Sequence, residues 1–124
     1  MSERTILYIE DNEYNRKIVR QLLARTSYRL VEANDGESGV AIAQQEIPEL
    51  ILMDVQLPKM SGLDATRALK SDPRTSHIPI IVITSFALSG DREKAAIAGA
   101  DNYLAKPYSP RELLALVRQY LPEA

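Results

Sequence analysis

The chain alternates short apolar runs with amphipathic segments, and this alternation limits the available folds more than any other feature. The apolar runs have the length of β-strands; they are Ile6–Ile9, Tyr28–Val31, Leu50–Met53, Ile80–Ile83 and Tyr103–Ala105. Most are continuous in Ile, Leu and Val, which is typical of strands whose two faces are both covered by crossover helices. The pattern therefore predicts a parallel sheet between two helical layers.

The amphipathic segments that follow these runs are predicted to form helices. From Tyr14 to Leu23, apolar residues recur at helical spacing, with basic residues on the other side. Asp35, Ser61 and Ser109 are residue types that cap helix N-termini, and Ser109 is followed directly by Pro and, three residues after the cap, by Glu. The second helix is expected to include Ile47 on its apolar face.

The fourth helix, predicted over Ser89–Ala98, has Ile97 as its only large apolar side chain. We expect it to be the most mobile helix, because few buried contacts mean a low free energy of local opening. The strict alternation of strand and helix predicts an α/β fold, a doubly wound parallel five-stranded sheet with right-handed crossovers.

Composition excludes several classes of protein. A length of 124 residues fits one domain. A formal net charge of -2, with 6% aromatic residues, argues against a nucleic-acid partner. The chain has no Cys, hence no disulfide or thiolate site, and no apolar stretch approaches the roughly 18 residues of a membrane span. We expect a soluble, cytoplasmic, single-domain protein without membrane contacts or an output domain.

Polar residues stand at the carboxyl ends of four predicted strands. Glu10 and Asp11 follow the first strand, Asp54 the third, Thr84 the fourth and Lys106 the fifth. In open parallel sheets these ends share one edge, and ligands bind where the strand order reverses. Carboxylates held close together repel unless a cation intervenes, and oxygen ligands without His or Cys favour Mg²⁺. The arrangement therefore predicts a magnesium site.

A hydroxyl and an ammonium beside such a cation can both donate to an anion, and a phosphoryl group fits that position. Asp54 is the best-placed nucleophile, since carboxylates form aspartyl-phosphate intermediates. Taken singly, each residue has an ordinary alternative, such as a helix cap, a turn or a strand end. Their joint placement at one edge carries the inference. The lone His77 has no cluster of partners and is expected to face solvent.

On these residues the chain resembles, over essentially its whole length, the receiver domain of two-component response regulators. The resemblance rests on the segments Leu7-Tyr8-Ile9-Glu10-Asp11-Asn12, Leu50-Ile51-Leu52-Met53-Asp54-Val55-Gln56-Leu57-Pro58, Ser61-Gly62, Ile83-Thr84 and Tyr103-Leu104-Ala105-Lys106-Pro107. The segment Phe86-Ala87-Leu88-Ser89-Gly90-Asp91 is similar to stand-alone regulators of the DivK and CheY type and to receivers within hybrid histidine kinases.

The resemblance implies a flavodoxin-like (βα)5 fold with strand order 2-1-3-4-5. It implies that Asp54 accepts a phosphoryl group from a phosphohistidine on a histidine kinase or a histidine phosphotransfer protein. Asp11, Asp54 and the backbone carbonyl of Gln56 would bind Mg²⁺ directly, and Glu10 would act through a metal-bound water. Such a protein is a phosphoryl acceptor that assists its own phosphorylation and dephosphorylation, and we do not expect it to be an enzyme.

Further roles follow from the same resemblance. Lys106 would contact Asp54 and then a phosphoryl oxygen, Thr84 would donate its hydroxyl to another, and the bond before Pro107 would be cis. Thr84 and Tyr103 would form a switch that changes a surface made by the fourth helix, the fifth strand and the fifth helix. That surface would bind a downstream protein.

Two surfaces are expected to meet partners. Tyr14, Asn15 and Ile18 on the first helix would dock the helical bundle that presents the phosphohistidine. The apolar arc of the fifth helix is wider than burial requires, so Leu114 and Leu121 are expected to remain exposed as contact surface.

Departures from the family pattern are modest. Glu10 stands where Asp is commoner, and Ser85 where Ala is usual. Gln56 and Phe86 occupy positions that influence hydrolysis of the phosphoryl group in this family.

Rival functions differ in their motifs. A haloacid-dehalogenase-like phosphatase needs Asp-x-Asp after its first strand, whereas Asp54-Val55-Gln56 follows the third strand. A flavodoxin would meet the negative charges of Glu10 and Asp11 where its flavin phosphate binds. A pseudo-receiver would not need the intact acidic cluster, and a receiver excised from a hybrid histidine kinase remains an alternative to the stand-alone form.

Overall fold

The computed structural model describes residues 4–84 and 90–123. In those residues the strands are β1 (Thr5–Ile9), β2 (Arg29–Ala33), β3 (Leu50–Asp54), β4 (Ile80–Thr84) and β5 (Asn102–Ala105). The helices are α1 (Glu13–Leu23), α2 (Gly36–Glu46), α3 (Gly62–Ser71), α4 (Asp91–Ala98) and α5 (Pro110–Tyr120). None of these helices is long and apolar enough to cross a lipid bilayer.

All strand pairs are parallel, and the sheet order is β2-β1-β3-β4-β5. Every residue of β1, β3 and β4 is buried, whereas β2 and β5 at the edges are partly exposed. The continuous apolar runs thus mark the central strands, which helices cover on both faces. The predicted fold class and strand order are confirmed.

Successive strand residues point to opposite faces of the sheet and divide the interior into two cores. The first core joins alternate residues of the strands to α1 and α5; it includes Ile6, Tyr8, Val19, Leu23, Tyr28, Leu52, Leu113, Val117 and Leu121. The second joins the other face to α2, α3 and α4; it includes Leu7, Ile9, Ala43, Met53, Ala65, Leu69, Val82 and Ala95.

Helix starts follow the predicted caps. The side chains of Asp35, Ser61 and Ser109 each accept a backbone hydrogen bond in the first turn, and Ser109 forms a full capping box with Glu112. Asn12 caps α1 in the same way by accepting from the backbone amide of Asn15. A side-chain oxygen at this position satisfies an amide that the helix itself leaves without a partner.

Three local predictions are wrong. The second strand spans Arg29–Ala33, so Tyr28 precedes it and is buried with its hydroxyl donating to the carbonyl of Leu121. Helix α2 ends at Glu46; Ile47 takes a left-handed conformation and is 37% exposed, because Pro48 disfavours a helical residue before it. Leu121 is not an exposed contact residue.

The fifth helix lies more deeply than predicted. Leu121 caps its end and is only 6% exposed, packed into the first core, and Leu114 is half-buried against the same core. The wide apolar arc is therefore used internally. At the end of α5, the Leu121 carbonyl accepts a hydrogen bond from the buried Tyr28 hydroxyl, and this contact holds Leu121 against the first core.

The fourth helix has the weak anchoring that its composition predicts. It lies between Gly90, which precedes it, and Gly99, which follows it, and both glycines have positive φ angles. Ala95 and Ala98 are its buried side chains among those described, whereas Ile97 is 79% exposed. Ser89, at the predicted start of this helix, lies outside the described residues.

Candidate functional site

Three carboxylates meet at the carboxyl edge of the sheet. Strands β1 and β3 are hydrogen-bonded neighbours, so Glu10 and Asp11 after β1 lie beside Asp54 at the end of β3. One carboxylate oxygen from each lies within 4.8 Å of the others. Glu10 is 1% exposed and Asp54 3%, whereas Asp11 is open to solvent. Two buried acids and one exposed acid therefore surround a single point.

Lys106 supplies the opposing charge. Its Nζ lies 3.3 Å from Oε1 of Glu10 and 3.6 Å from Oδ2 of Asp54. Its backbone amide donates to the carbonyl of Thr84 at 2.7 Å, and the Lys106–Pro107 peptide bond is cis. The chain after β5 thus directs the ammonium group towards the acidic cluster, where one lysine offsets part of the charge of three acids.

The turn after β3 folds back tightly on Asp54. The Gln56 amide donates to Oδ1 of Asp54 at 3.1 Å, and the Gly62 amide donates to the carbonyl of Val55 at 2.9 Å. A Cβ atom on Gly62 would lie 2.0 Å from the carbonyl oxygen of Asp54. Only glycine fits this close approach, which explains the Ser61-Gly62 pair at the start of α3.

Glu10 is held by several donors. Its Oε1 accepts from the Tyr8 hydroxyl at 3.2 Å and from Nδ2 of Asn15 at 3.3 Å, in addition to Lys106. Its Oε2 accepts from the backbone amide of Asn12 at 3.3 Å. Nη1 of Arg16 donates to the Glu10 carbonyl at 2.8 Å. Buried carboxylates need such partners, and they fix the side chain in one orientation.

The two buried acids differ in proton affinity. Burial, followed by the hydrogen bond with Glu10, raises the pKa of Asp54 to about 7. Burial also acts to raise the pKa of Glu10, but hydrogen bonding with Asp54 and the charge of Lys106 outweigh it and leave that pKa below its ordinary value. Near neutral pH, a proton on Asp54 thus relieves the repulsion that a hard cation would otherwise relieve.

The donor set matches a hard divalent cation. The clustered atoms are carboxylate oxygens, with the backbone carbonyl of Gln56 on the adjoining turn, and no His or Cys takes part among the described residues. Mg²⁺ prefers such oxygen ligands and usually keeps several waters. Asp11, the exposed member of the cluster, keeps this side of the site open to water.

The two predicted switch residues lie on neighbouring strands. Thr84 ends β4 and is 2% exposed, one residue beyond the register partner of Asp54. Tyr103 on β5 is half-buried against the second core, and the Arg92 guanidinium lies 4.9 Å from the centroid of its ring. Ser85 and Phe86 lie outside the described residues.

The predicted docking residues do not behave alike. Tyr14 and Ile18 on α1 are 72% and 43% exposed. Asn15 instead turns inward and donates to Glu10, so it belongs to the acidic site as well as to the helix surface. A cavity of about 550 Å³ lies beside them; its lining includes Ile18, Leu22, Pro107, Tyr108 and Leu113.

Sequence reasoning missed the residues that support Glu10. The sequence pattern places Tyr8 in an apolar strand and Arg16 on the polar side of the first helix, and it indicates no contact of either residue with Glu10. An available signal was the phenol in a fully buried strand, since a buried Tyr hydroxyl usually has a polar partner. His77 is exposed, as expected.

Comparisons with known proteins agree with this geometry. Residues 6–118 match the response regulator receiver domain family. The polar-differentiation response regulator DivK of Brucella anthropi is 37% identical over 121 residues, covering 98% of each chain. These matches favour neither the phosphatase nor the flavodoxin alternative.

Solved structures give the same result. The receiver domain of the sensor histidine kinase PA1611 from Pseudomonas aeruginosa, which has a magnesium ion in its active-site cleft, is 35% identical, with a TM-score of 0.88 and coverage of 96% of this chain and 98% of that one. The Vibrio cholerae chemotaxis protein CheY4 is 26% identical, with a TM-score of 0.90 and coverage of 97% and 100%. The Mn²⁺-bound response regulator Rcp1 is 27% identical, with a TM-score of 0.79 and coverage of 94% and 90%. With its strand order, its acidic edge and these similarities, the chain belongs to the response regulator receiver domain family.

Proposed function

We propose that this chain accepts a phosphoryl group on Asp54 from a phosphohistidine of a histidine kinase or a histidine phosphotransfer protein, in a Mg²⁺-dependent reaction of two-component signalling. The observation that carries the proposal is the buried Asp54 carboxylate, placed between two other acids and the ammonium of Lys106. The chain would be a phosphoryl acceptor that assists its own phosphorylation and dephosphorylation.

Asp11, Asp54 and the carbonyl of Gln56 would hold the ion, and Glu10 would act through one of its waters. The magnesium in the Pseudomonas receiver and the manganese in Rcp1 support this assignment. When bound, the ion would neutralise the repulsion between the carboxylates and an incoming phosphoryl group.

In the transfer step, a carboxylate oxygen of Asp54 forms a bond to phosphorus while the bond from phosphorus to the histidine nitrogen breaks. The electron pair of that bond returns to the imidazole. Lys106 would then pair with a phosphoryl oxygen, and the Thr84 hydroxyl would donate to another. These contacts stabilise the negative charge that the phosphoryl group brings to the site of Asp54.

We further propose that the phosphoryl group changes the surface formed by α4, β5 and α5, which would bind a downstream protein. The support is that Thr84 lies next to the strand of Asp54, and that Tyr103 is half-buried under Arg92 on the weakly anchored α4. Two packings of Tyr103 would supply the differential contact that a switch requires. Hydrogen exchange over residues 90–106, with and without beryllofluoride, tests this. Equal protection in both states would contradict it.

Docking of the phosphodonor is proposed for the exposed side of α1, at Tyr14 and Ile18. Tyr14→Ala is expected to slow transfer from a cognate kinase while leaving phosphorylation by acetyl phosphate unchanged. Asn15 is unsuitable for this test because it contacts Glu10. Loss with both donors would place the effect in the chemistry or the fold.

Two expectations remain predictions: that the natural protein is a stand-alone receiver rather than part of a hybrid histidine kinase, and that it is cytoplasmic. DivK of Brucella anthropi, matched over 98% of its length, and the Pseudomonas receiver, described as part of a sensor histidine kinase, represent the stand-alone and the hybrid arrangement. Cytoplasmic location is likewise a prediction. Size and location of the natural gene product in cell fractions would test both.

The phosphoacceptor role is tested by incubating the protein with acetyl phosphate and Mg²⁺ and measuring its intact mass. We expect the wild type to gain one phosphoryl group and Asp54→Asn to gain none. Asp64→Asn, an exposed carboxylate on α3, is the matched control and should be phosphorylated normally. Equal labelling of wild type and Asp54→Asn would refute the proposal.

A further inference from the structure

Tyr8 is the polar member of an otherwise aliphatic stretch in the central strand β1. It is 0% exposed and belongs to the first core, together with Ile6 and with buried residues of the helices α1 and α5. Packing alone could be provided by Ile, Leu or Phe. The hydroxyl therefore needs its own explanation, because burying it without a partner would destabilise the fold.

This hydroxyl donates a hydrogen bond to Glu10, and it also interacts with the Tyr108 side chain. Residues i and i+2 of a strand share a face of the sheet, so the two side chains start side by side. The Tyr8 hydroxyl lies 3.2 Å from Oε1 of Glu10, in a fully buried contact. The same oxygen accepts from Asn15 on α1 and from Lys106 after β5. Donors from three parts of the fold thus converge on one carboxylate oxygen.

The convergence has a consequence for the other oxygen. With Oε1 engaged by three donors, rotation of the carboxylate would break several hydrogen bonds at once. Oε2, which accepts a hydrogen bond from the backbone amide of Asn12, is thereby held beside the loop after β1 that carries Asp11. Glutamate has one more rotatable bond than aspartate, so it loses more conformational freedom on being fixed.

We propose that Tyr8 is a positioning residue for Glu10: its buried hydroxyl fixes the glutamate in the orientation that serves the Mg²⁺ site. This inference rests on the proposed function, in which Glu10 holds a metal-bound water. Tyr8 itself would touch neither the ion nor the phosphoryl group. The contact explains how this chain uses the longer acid where aspartate is commoner.

The test is the Mg²⁺ dissociation constant of the unphosphorylated protein, measured by isothermal titration calorimetry. Tyr8→Phe keeps the ring and removes the donor. Glu10, which would reach the ion through a water, is itself an outer partner of the metal, and such partners typically contribute 10- to 100-fold in affinity, which sets the ceiling for the effect of Tyr8. Because Asn15 and Lys106 still hold Oε1, we expect about a fivefold to tenfold weaker affinity.

The chain offers a matched control. Tyr28 is also buried in the first core, and its hydroxyl also donates a hydrogen bond, but to the carbonyl of Leu121, away from the acidic cluster. Tyr28→Phe should lower the melting temperature and leave Mg²⁺ affinity within about twofold of wild type. Equal weakening in both variants would show a general loss of stability and overturn the proposal.

A double-mutant cycle separates positioning from any other effect of Tyr8. In a Glu10→Ala background, Tyr8→Phe should have no further effect on the Mg²⁺ dissociation constant, because the group that it positions is gone. The same fold-change in both backgrounds, or no change in either, would overturn the proposal. Tyr8→Leu also lacks the donor and provides the same comparison if Tyr8→Phe does not fold.

Failure of this inference is distinguishable from failure of the proposed function. If the wild type binds Mg²⁺ and is phosphorylated while Tyr8→Phe binds equally well, only the role of Tyr8 is refuted. If the wild type itself neither binds Mg²⁺ nor accepts a phosphoryl group, the proposed function is refuted.

Discussion

Replacing Asp54 by asparagine should stabilise the metal-free protein at alkaline pH. The pKa of this acid rises from its ordinary 3.8 to about 7, chiefly through burial and then through the hydrogen bond with Glu10. The folded state therefore holds the proton more tightly than the unfolded state. Ionisation of Asp54 lowers the free energy of unfolding progressively as pH rises from about 4 to about 7.

The size of the effect follows from this difference. At about 1.4 kcal/mol for each tenfold change in proton affinity, the difference corresponds to an upper bound of about 4 kcal/mol above pH 7. Asparagine cannot ionise and so avoids this loss. We expect the stability of Asp54→Asn relative to wild type to increase by about 2 to 4 kcal/mol between pH 4 and pH 8.

The assay is urea unfolding followed by circular dichroism at both pH values in the presence of EDTA. Titrating groups remote from Asp54 cancel in the difference between the two proteins, so that the difference reports Asp54 together with its neighbours Glu10 and Lys106. Asp64→Asn, which alters an exposed acid, should change stability by less than about 1 kcal/mol at either pH. A pH-independent difference for Asp54→Asn, or a loss of stability at pH 8, would refute the reasoning.

Three further predictions concern the same edge of the sheet. Asp11→Ala should weaken Mg²⁺ binding by about tenfold or more and abolish phosphorylation by acetyl phosphate, because it removes a proposed ligand of the ion. It should not destabilise the metal-free fold, since one of three mutually repelling acids is removed. An unchanged Mg²⁺ dissociation constant in calorimetry would contradict the proposed coordination. Mg²⁺ affinity should fall as pH drops below about 7, because protons compete with the ion for Asp54. The acid titrates roughly between pH 5.5 and 8, and a Mg²⁺ dissociation constant that stays the same over this range would contradict the prediction. Gly62→Ala should destabilise the protein by about 3 kcal/mol or more, because its Cβ would lie 2.0 Å from the Asp54 carbonyl oxygen. The control Ala68→Gly, on the exposed side of α3, should destabilise it by about 1 kcal/mol. Similar melting temperatures for the two variants would contradict this prediction and show that the turn adjusts.

Much of the fold and the acidic cluster could be predicted from sequence because both depend on simple rules. Buried parallel strands require continuous apolar runs, and the central strands β1, β3 and β4 have them. Parallel strands also bring their carboxyl ends to one edge. Glu10, Asp54 and Lys106 are therefore brought together by topology before any detail of side-chain packing enters.

The features that were mispredicted depend on tertiary contacts. Edge strand β2 is partly exposed and carries Arg29 and Glu32, which interrupt its apolar pattern. The apolar run therefore predicted a strand that begins one residue before the observed start and ends two residues before the observed end. Leu121 is buried because the chain bends onto Tyr28 after α5, which helical periodicity does not encode.

Side-chain direction within α1 was equally beyond the sequence pattern. Tyr14 and Ile18 face solvent as a docking surface requires, but Asn15 between them turns to Glu10. An amide on a helix surface is compatible with either direction, and the choice is made by the acid that lies across from it.

The most direct measurement of the central claim is to locate the phosphoryl group. After reaction with acetyl phosphate and Mg²⁺, borohydride reduction converts an aspartyl phosphate to homoserine, and peptide mass mapping shows where. We predict that the modified residue is Asp54, that it disappears when Mg²⁺ is removed with EDTA, and that Asp54→Asn yields none. Modification at Asp11 or Glu10, or labelling that persists without the ion, would contradict the account.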